Sequence, residues 1–284
     1  MTEARAERSG RRGATRPSSG PRADPARGRR RRRAVLVLPS AFTLGNLFFG
    51  FWSVISSFRG RFDLAAWLVL LAAVFDWLDG RVAHLSAGDS AFGGELDSLV
   101  DLVSFGMAPA ILTYAAFLRE EWSWLMCGAF VGAMAVRLAR FNVEQAGGAR
   151  RYFLGLPSPA AGTFLAMLYP FSTTALFRRW LAGWPWATIV PVSVVALAVL
   201  MVSHVPYAAL RPGLRGRRAR LGLAGLVGAL VLVAVAPEET LFPILAFYVL
   251  FGLARALGMG LVDRLAGRAE VEAELSGSEG EVDT

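Results

Sequence analysis

The chain contains no lysine, and all thirty of its basic residues are arginine. That bias reads as compositional, as in a protein from a GC-rich genome, and carries no statement about mechanism. There is one cysteine, Cys127, so an internal disulfide is impossible; it lies in an apolar run and reads as a small packing residue. Charge is scarce too. Only 18% of the residues are charged while 55% are hydrophobic, and the mean hydropathy is +0.46. With that balance, 284 residues are too oily for an ordinary soluble domain and enough for several membrane spans. The net charge of +8 gives no case for nucleic acid. It sits mostly at the ends, twelve arginines in the first 34 residues against six acids in the last fifteen, and no aromatic interleaving accompanies the arginines.

Residues 1–34 hold Arg, Gly, Pro, Ser and Ala with almost no aliphatic content, and are expected to form a disordered cytoplasmic tail. The run Arg29 to Arg33 abuts the first apolar segment and reads as a positive-inside signal, compatible with a clamp on anionic lipid. It does not open a signal peptide, because the apolar stretch continues into a full span. A span needs ~20 apolar residues. Eight candidates follow, at 41–58, 63–83, 95–118, 122–142, 159–177, 185–204, 220–236 and 240–258. They predict an all-α, polytopic integral membrane bundle of about eight transmembrane helices over residues 35–258, then an acidic, mostly disordered tail over 259–284. Gly128, Gly132, Gly222, Gly225 and Gly228 read as close-packing positions, with helix dimerisation as an option.

With the N-terminus in the cytoplasm, the inside loops carry Arg81, Arg150 and Arg151, and the cluster Arg211, Arg215, Arg217, Arg218 and Arg220. Arg59, Arg61, Arg119, Arg178 and Arg179 fall outside, fewer but present. The bias favours a multi-pass protein of the cell (inner) membrane with both termini in the cytoplasm.

Into this oily chain the stretch Phe75 to Asp101 places Asp76, Asp79, Asp97 and Asp101. At ~100° per residue, the i,i+3 pair Asp76/Asp79 and the i,i+4 pair Asp97/Asp101 each project from one helix face. One aspartate at the centre of a membrane helix costs ~2.5–3.5 kcal/mol even on the lenient insertion scale, so four need a positive partner. Apart from the titratable His84, only Arg81 lies within the stretch. One or two divalent cations answer the demand, since hard carboxylate oxygens suit Mg²⁺ or Mn²⁺, and two bridged metals are a phosphoryl-transfer device. An ion pair or a proton path is the plainer alternative. A cation or proton transporter would spread its carboxylates through the membrane depth, however, whereas these cluster in one helix-loop-helix. Gly80 and Ala83 would let a nucleotide base or ribose approach the backbone, with helix packing as the bland alternative. Gly93 is expected to serve the turn that returns the second pair to the first.

The pattern Asp76-x-x-Asp79-Gly80-x-x-Ala83-His84, eight residues, then Gly93-x-x-x-Asp97-x-x-x-Asp101 resembles the signature of the CDP-alcohol phosphotransferase family. His84 stands where that family usually has arginine, and a neutral imidazole replaces a fixed cation only in part. PSAFTLGNLFFG, FGGELDSLVDLVSFGMAPA, RLARFN and GLPSPAA, within residues 39–162, are similar to the family's bacterial serine-accepting branch. The resemblance implies Asp76, Asp79, Asp97 and Asp101 as ligands of a pair of Mg²⁺ or Mn²⁺ ions, and Asp101 as catalytic base. It implies Gly80, Ala83, His84 and Gly93 on the nucleotide side, and Arg137 and Arg140 holding an acceptor's carboxylate. CDP-diacylglycerol and L-serine would be the substrates, phosphatidylserine and CMP the products, and the protein a homodimer with its site facing the cytoplasm. Glycerol 3-phosphate, inositol phosphate or another small alcohol could serve the same aspartates. A catalytically silenced scaffold is the further alternative, suggested by His84 alone.

Overall fold

A computed structural model describes residues 25–85, 91–118, 120–146, 155–203 and 232–254, and of residues 25–40, 82–85, 91, 145 and 146 the backbone alone. The expected acidic tail therefore lies outside the described residues, as do Gly222, Gly225, Gly228 and most of the candidate span at 220–236. The chain divides into two compact units, Met1–Val37 and Leu38–Thr284. In the first, residues 25–37 are helical, inside a stretch whose composition predicts no structure as far as residue 34. Proline is favoured at the first helical position, and arginine and alanine are strong helix formers, so this segment can wind without burying a face.

Among the described residues every regular element is helical. The elements are α1 (Pro25–Phe58), α2 (Phe62–Leu85), α3 (Ala91–Asp101), a π-helical segment (Leu102–Met107), α4 (Ala108–Phe117) and α5 (Ser123–Ala146). They continue with α6 (Ser158–Thr173), α7 (Ala175–Trp180), α8 (Trp186–Val202) and α9 (Pro237–Ala254). Four stretches are long and apolar enough to cross a membrane: Ala41–Phe58, Phe92–Phe117, Ser123–Glu144 and Pro237–Ala254. At 1.5 Å per residue, the 24 residues of α2 rise about 36 Å, also enough to span, but this helix carries the first aspartate pair. Large apolar side chains point outward all along the bundle, among them Phe48, Phe51, Trp77, Leu99, Val136, Val199 and Phe251. In water such a surface would aggregate; in lipid it is the expected exterior. This is a helical membrane protein.

Two close pairings build the core. α2 lies along α6, burying Ala65, Ala66, Val69 and Ala72 on one side and Ala161, Leu165 and Leu168 on the other. α5 lies along α8, and the two helices bury Phe130, Met134 and Leu138 on the one and Val190, Val194, Leu197 and Met201 on the other. The turn from α1 into α2 is closed by Gly60 at φ +70°, with the amide of Arg61 donating to the Ser56 carbonyl at 2.9 Å.

Glycine packing departs from the sequence reading. A Cβ added at Gly128 or Gly132 would meet nothing within 4 Å, so among the described residues neither glycine allows a close approach. Gly50 and Gly162 do. A Cβ on Gly50 would run into Ser104, and one on Gly162 into the backbone of Phe105, 2.7 Å from its Cα. Both contacts grip the π-helical segment, one from α1 and one from α6.

Candidate functional site

The two acidic helices meet. Asp76, Asp97 and Asp101 each direct a carboxylate oxygen into one cluster whose atoms lie within 4.8 Å of one another. Asp79 is buried beside them and its charge reaches both Asp76 and Asp97. Helical spacing produces this: Asp76 and Asp79 sit one turn apart on α2, Asp97 and Asp101 one turn apart on α3. Gathering four acids in a half-buried, low-dielectric place is costly unless a cation joins them.

The acids are held from a third helix. The hydroxyl of Thr43 on α1 donates to Asp79 Oδ2. One turn on, Asn46 Nδ2 donates to Asp101 Oδ1 at 3.4 Å. The other oxygen of Asp79 is buried and has no hydrogen-bond partner among the described residues. An orphaned carboxylate oxygen next to three clustered ones is the donor set that a hard divalent cation takes, so the residues fit Mg²⁺ or Mn²⁺. Sequence reasoning missed Thr43 and Asn46, although both lie in PSAFTLGNLFFG. The available signal was their polarity: a Thr-x-x-Asn pair inside an apolar span is a functional candidate by default.

The remaining expected residues fare differently. Gly80 is exposed, and among the described residues a Cβ there would meet nothing within 4 Å, so it serves no helix packing with them. Gly93 is not in a turn. It lies in the first turn of α3, where a glycine costs little because the neighbouring amides have no helical partner to lose. Ala83 and His84 are helical in backbone, at the end of α2, and their side chains lie outside the described residues. Arg81 is exposed, its guanidinium 4.6 Å from the centre of the Trp77 ring, and so turned to its own helix surface.

Arg137 and Arg140, three residues apart on α5, diverge. Arg137 Nη1 donates to Ser158 Oγ at the start of α6 at 2.8 Å, and its charge reaches Asp101. Its Nε is buried without a hydrogen-bond partner among the described residues. Arg140 Nη1 donates to the carbonyl of Val202 at 3.1 Å, on the last residue of α8, where a cation complements the helix end. Below them Asn142 bridges back to α3, accepting from Ser98 Oγ at 3.1 Å and donating to Glu95 Oε2 at 3.2 Å. Ser158 is itself placed by a tight approach: Gly155 has φ +87° and a Cβ there would strike the Met201 carbonyl, while the Leu156 amide donates to Leu200 at 3.2 Å.

A bundle of apolar helices with carboxylates from two of them converging inside defines a membrane-embedded acidic centre suited to a divalent cation. The chain belongs to the CDP-alcohol phosphatidyltransferase family, whose sequence pattern matches residues 36–206. It is 34% identical over 231 residues to the CDP-diacylglycerol–serine O-phosphatidyltransferase of Helicobacter pylori strain J99, covering 77% of this chain and 90% of that protein. It is likewise 34% identical over 175 residues to the archaetidylserine synthase of Methanothermobacter thermautotrophicus, covering 61% of this chain and 70% of that one. The corresponding serine enzyme of Saccharomyces cerevisiae is 40% identical over 149 residues, 47% of this chain and 54% of its own length.

Proposed function

We propose that the protein transfers the phosphatidyl group of CDP-diacylglycerol to L-serine, giving phosphatidylserine and CMP. The observation that carries this reading is the convergence of Asp76, Asp97 and Asp101 within 4.8 Å in a member of a family that works on CDP-alcohols. The names of its relatives point to serine as acceptor. Asp76, Asp79, Asp97 and Asp101 would hold a pair of Mg²⁺ or Mn²⁺ ions, which when bound neutralise the acids and stabilise negative charge on the pyrophosphate. Gly80, with open space about it among the described residues, leaves room for the nucleotide, which Ala83, His84 and Gly93 would help to hold.

In the reaction the serine hydroxyl oxygen bonds to the β-phosphorus, the bond from that phosphorus to the bridging oxygen breaks, and CMP departs with the electron pair. Asp101 takes the hydroxyl proton. An aspartate is a weak base for an alcohol, so charge stabilisation at the pyrophosphate supplies the larger share of the rate. CMP leaves as a stable anion and needs no general acid. Arg137 is the better acceptor ligand of the two arginines, because its buried Nε has no hydrogen-bond partner among the described residues while its charge reaches Asp101. A guanidinium fork suits the carboxylate of an amino acid. Arg140 is spent on the end of α8, one turn away from Arg137.

The catalytic domain is residues 35–258, flanked by the Arg-rich and acidic tails. It sits in the cell (inner) membrane as a homodimer, with termini and site towards the cytoplasm, where a nucleotide-activated lipid is used. The test is CMP release from CDP-diacylglycerol by detergent-purified protein with Mg²⁺ or Mn²⁺, offering L-serine, glycerol 3-phosphate and inositol phosphate separately. Release with serine alone supports the reading; release with another acceptor reassigns it. Absence of release with all three, in a protein that His84→Arg then awakens, would mark a silenced scaffold.

A further inference from the structure

We propose that Thr43 and Asn46 of α1 are positioning residues that align the two acidic helices on one another, Asn46 acting through Asp101 and Thr43 through Asp79; the inference rests on the phosphatidyl-transfer reading above. The two residues lie one turn apart on one face of α1, and each donates to a carboxylate from a different helix. α1 is thus a ruler laid across both aspartate pairs.

Asn46 is the more informative member. It is wholly buried, and three contacts tie its part of α1 to Asp101 and the segment that follows it. Asn46 Nδ2 donates to Asp101 Oδ1 at 3.4 Å. Ser104 Oγ, from the π-helical segment, donates to the Asn46 backbone carbonyl at 3.1 Å. One turn further along α1, Gly50 leaves the room that Ser104 occupies. The orientation of the amide is settled by chemistry, since a flipped group would set its oxygen against a carboxylate oxygen. Its own Oδ1 has no partner among the described residues, so the bond to Asp101 is what fixes the side chain.

The π-helical segment gives this tie its purpose. It starts at Leu102, immediately after Asp101, and holds an extra residue per turn. A shift of that insertion by one position would swing Asp101 by ~100° out of the cluster. Ser104 is pinned to α1 from inside the segment and Asp101 is pinned just before it, so the insertion cannot migrate past the acid. Donation to one oxygen of Asp101 leaves the other for the cluster.

The test uses the full-length protein in detergent. Asn46→Leu keeps the size and suits an apolar helix; Asn46→Ser, too short to reach Asp101, is the second variant should leucine disturb folding. Mn²⁺ binding is followed by electron paramagnetic resonance, beside kcat and the KM for L-serine. Removing such an outer support of a metal ligand should weaken Mn²⁺ binding ~10–100-fold and lower kcat by a like factor, with KM for serine changed less than about twofold. Thr43→Val should move the same quantities in the same direction. Variants that bind Mn²⁺ and turn over as the unaltered protein does, or that lose serine affinity instead, overturn the inference while the functional reading stands. An unaltered protein that neither binds Mn²⁺ nor releases CMP overturns that reading and this inference with it.

Discussion

Two chemically identical substitutions should move stability in opposite directions. Gly162 on α6 faces the backbone of Phe105: a methyl group there would run into its carbonyl oxygen and lie 2.7 Å from its Cα and 2.8 Å from its Cβ. Backbone cannot rotate away as a side chain can, so Gly162→Ala must push α6 off the π-helical segment. Overpacking of this kind costs ~1–3 kcal/mol. Gly128 on α5 meets nothing within 4 Å, and there alanine should gain up to ~1 kcal/mol of helix propensity. The two variants should therefore differ by roughly 1–4 kcal/mol. Unfolding is conveniently read by a thiol-reactive dye during heating, because Cys127 is the chain's one thiol and only 7% exposed. Gly162→Ala should also lower kcat, since Phe105 lies in the π-helical segment four residues beyond Asp101. Equal unfolding temperatures for the two variants would refute the packing argument.

Further outcomes follow from the site. Arg137→Gln should raise the KM for serine at least tenfold, the scale of a lost charge-assisted hydrogen bond. Arg140→Gln should chiefly cost stability, ~1 kcal/mol, with a smaller change in KM; steady-state kinetics and thermal unfolding separate the two. Chelation with EDTA should abolish CMP release, and added Mn²⁺ or Mg²⁺ should restore it, as titration of either metal into the stripped protein would record. Asn142→Leu breaks the bridge from α5 to Glu95 and Ser98 of α3, and should lower the unfolding temperature slightly, because the bonds are partly exposed.

The acidic centre was legible because aspartates are costly in an apolar chain that offers them few basic partners, and their i,i+3 and i,i+4 spacings set the faces. The helices at 41–58, 63–83, 95–118, 122–142 and 240–258 were legible from apolar length alone. What the sequence hides is contact. A run of letters does not reveal which side chains Thr43 and Asn46 meet, although with Ser53 and Ser57 they recur at helical spacing along one buried face of α1. Nor does it reveal which glycines are pressed: Gly128 and Gly132 carry the familiar spacing and stand open, while Gly50 and Gly162 carry none and are tight. The π-helical insertion after Asp101 has no compositional mark. Arg137 and Arg140 look equivalent in RLARFN, and only the neighbouring ends of α6 and α8 separate them.

The central claim is that the converging aspartates carry transfer of a phosphatidyl group to serine. Incorporation of radiolabelled L-serine into lipid tests it most directly, with purified protein, CDP-diacylglycerol and Mn²⁺, beside Asp97→Asn and Asp101→Asn. The account predicts labelled phosphatidylserine from the unaltered protein, formed in step with CMP, and a loss of at least ~10²-fold in either variant. Undiminished labelling in both variants, or none from a folded and Mn²⁺-loaded protein, would contradict it.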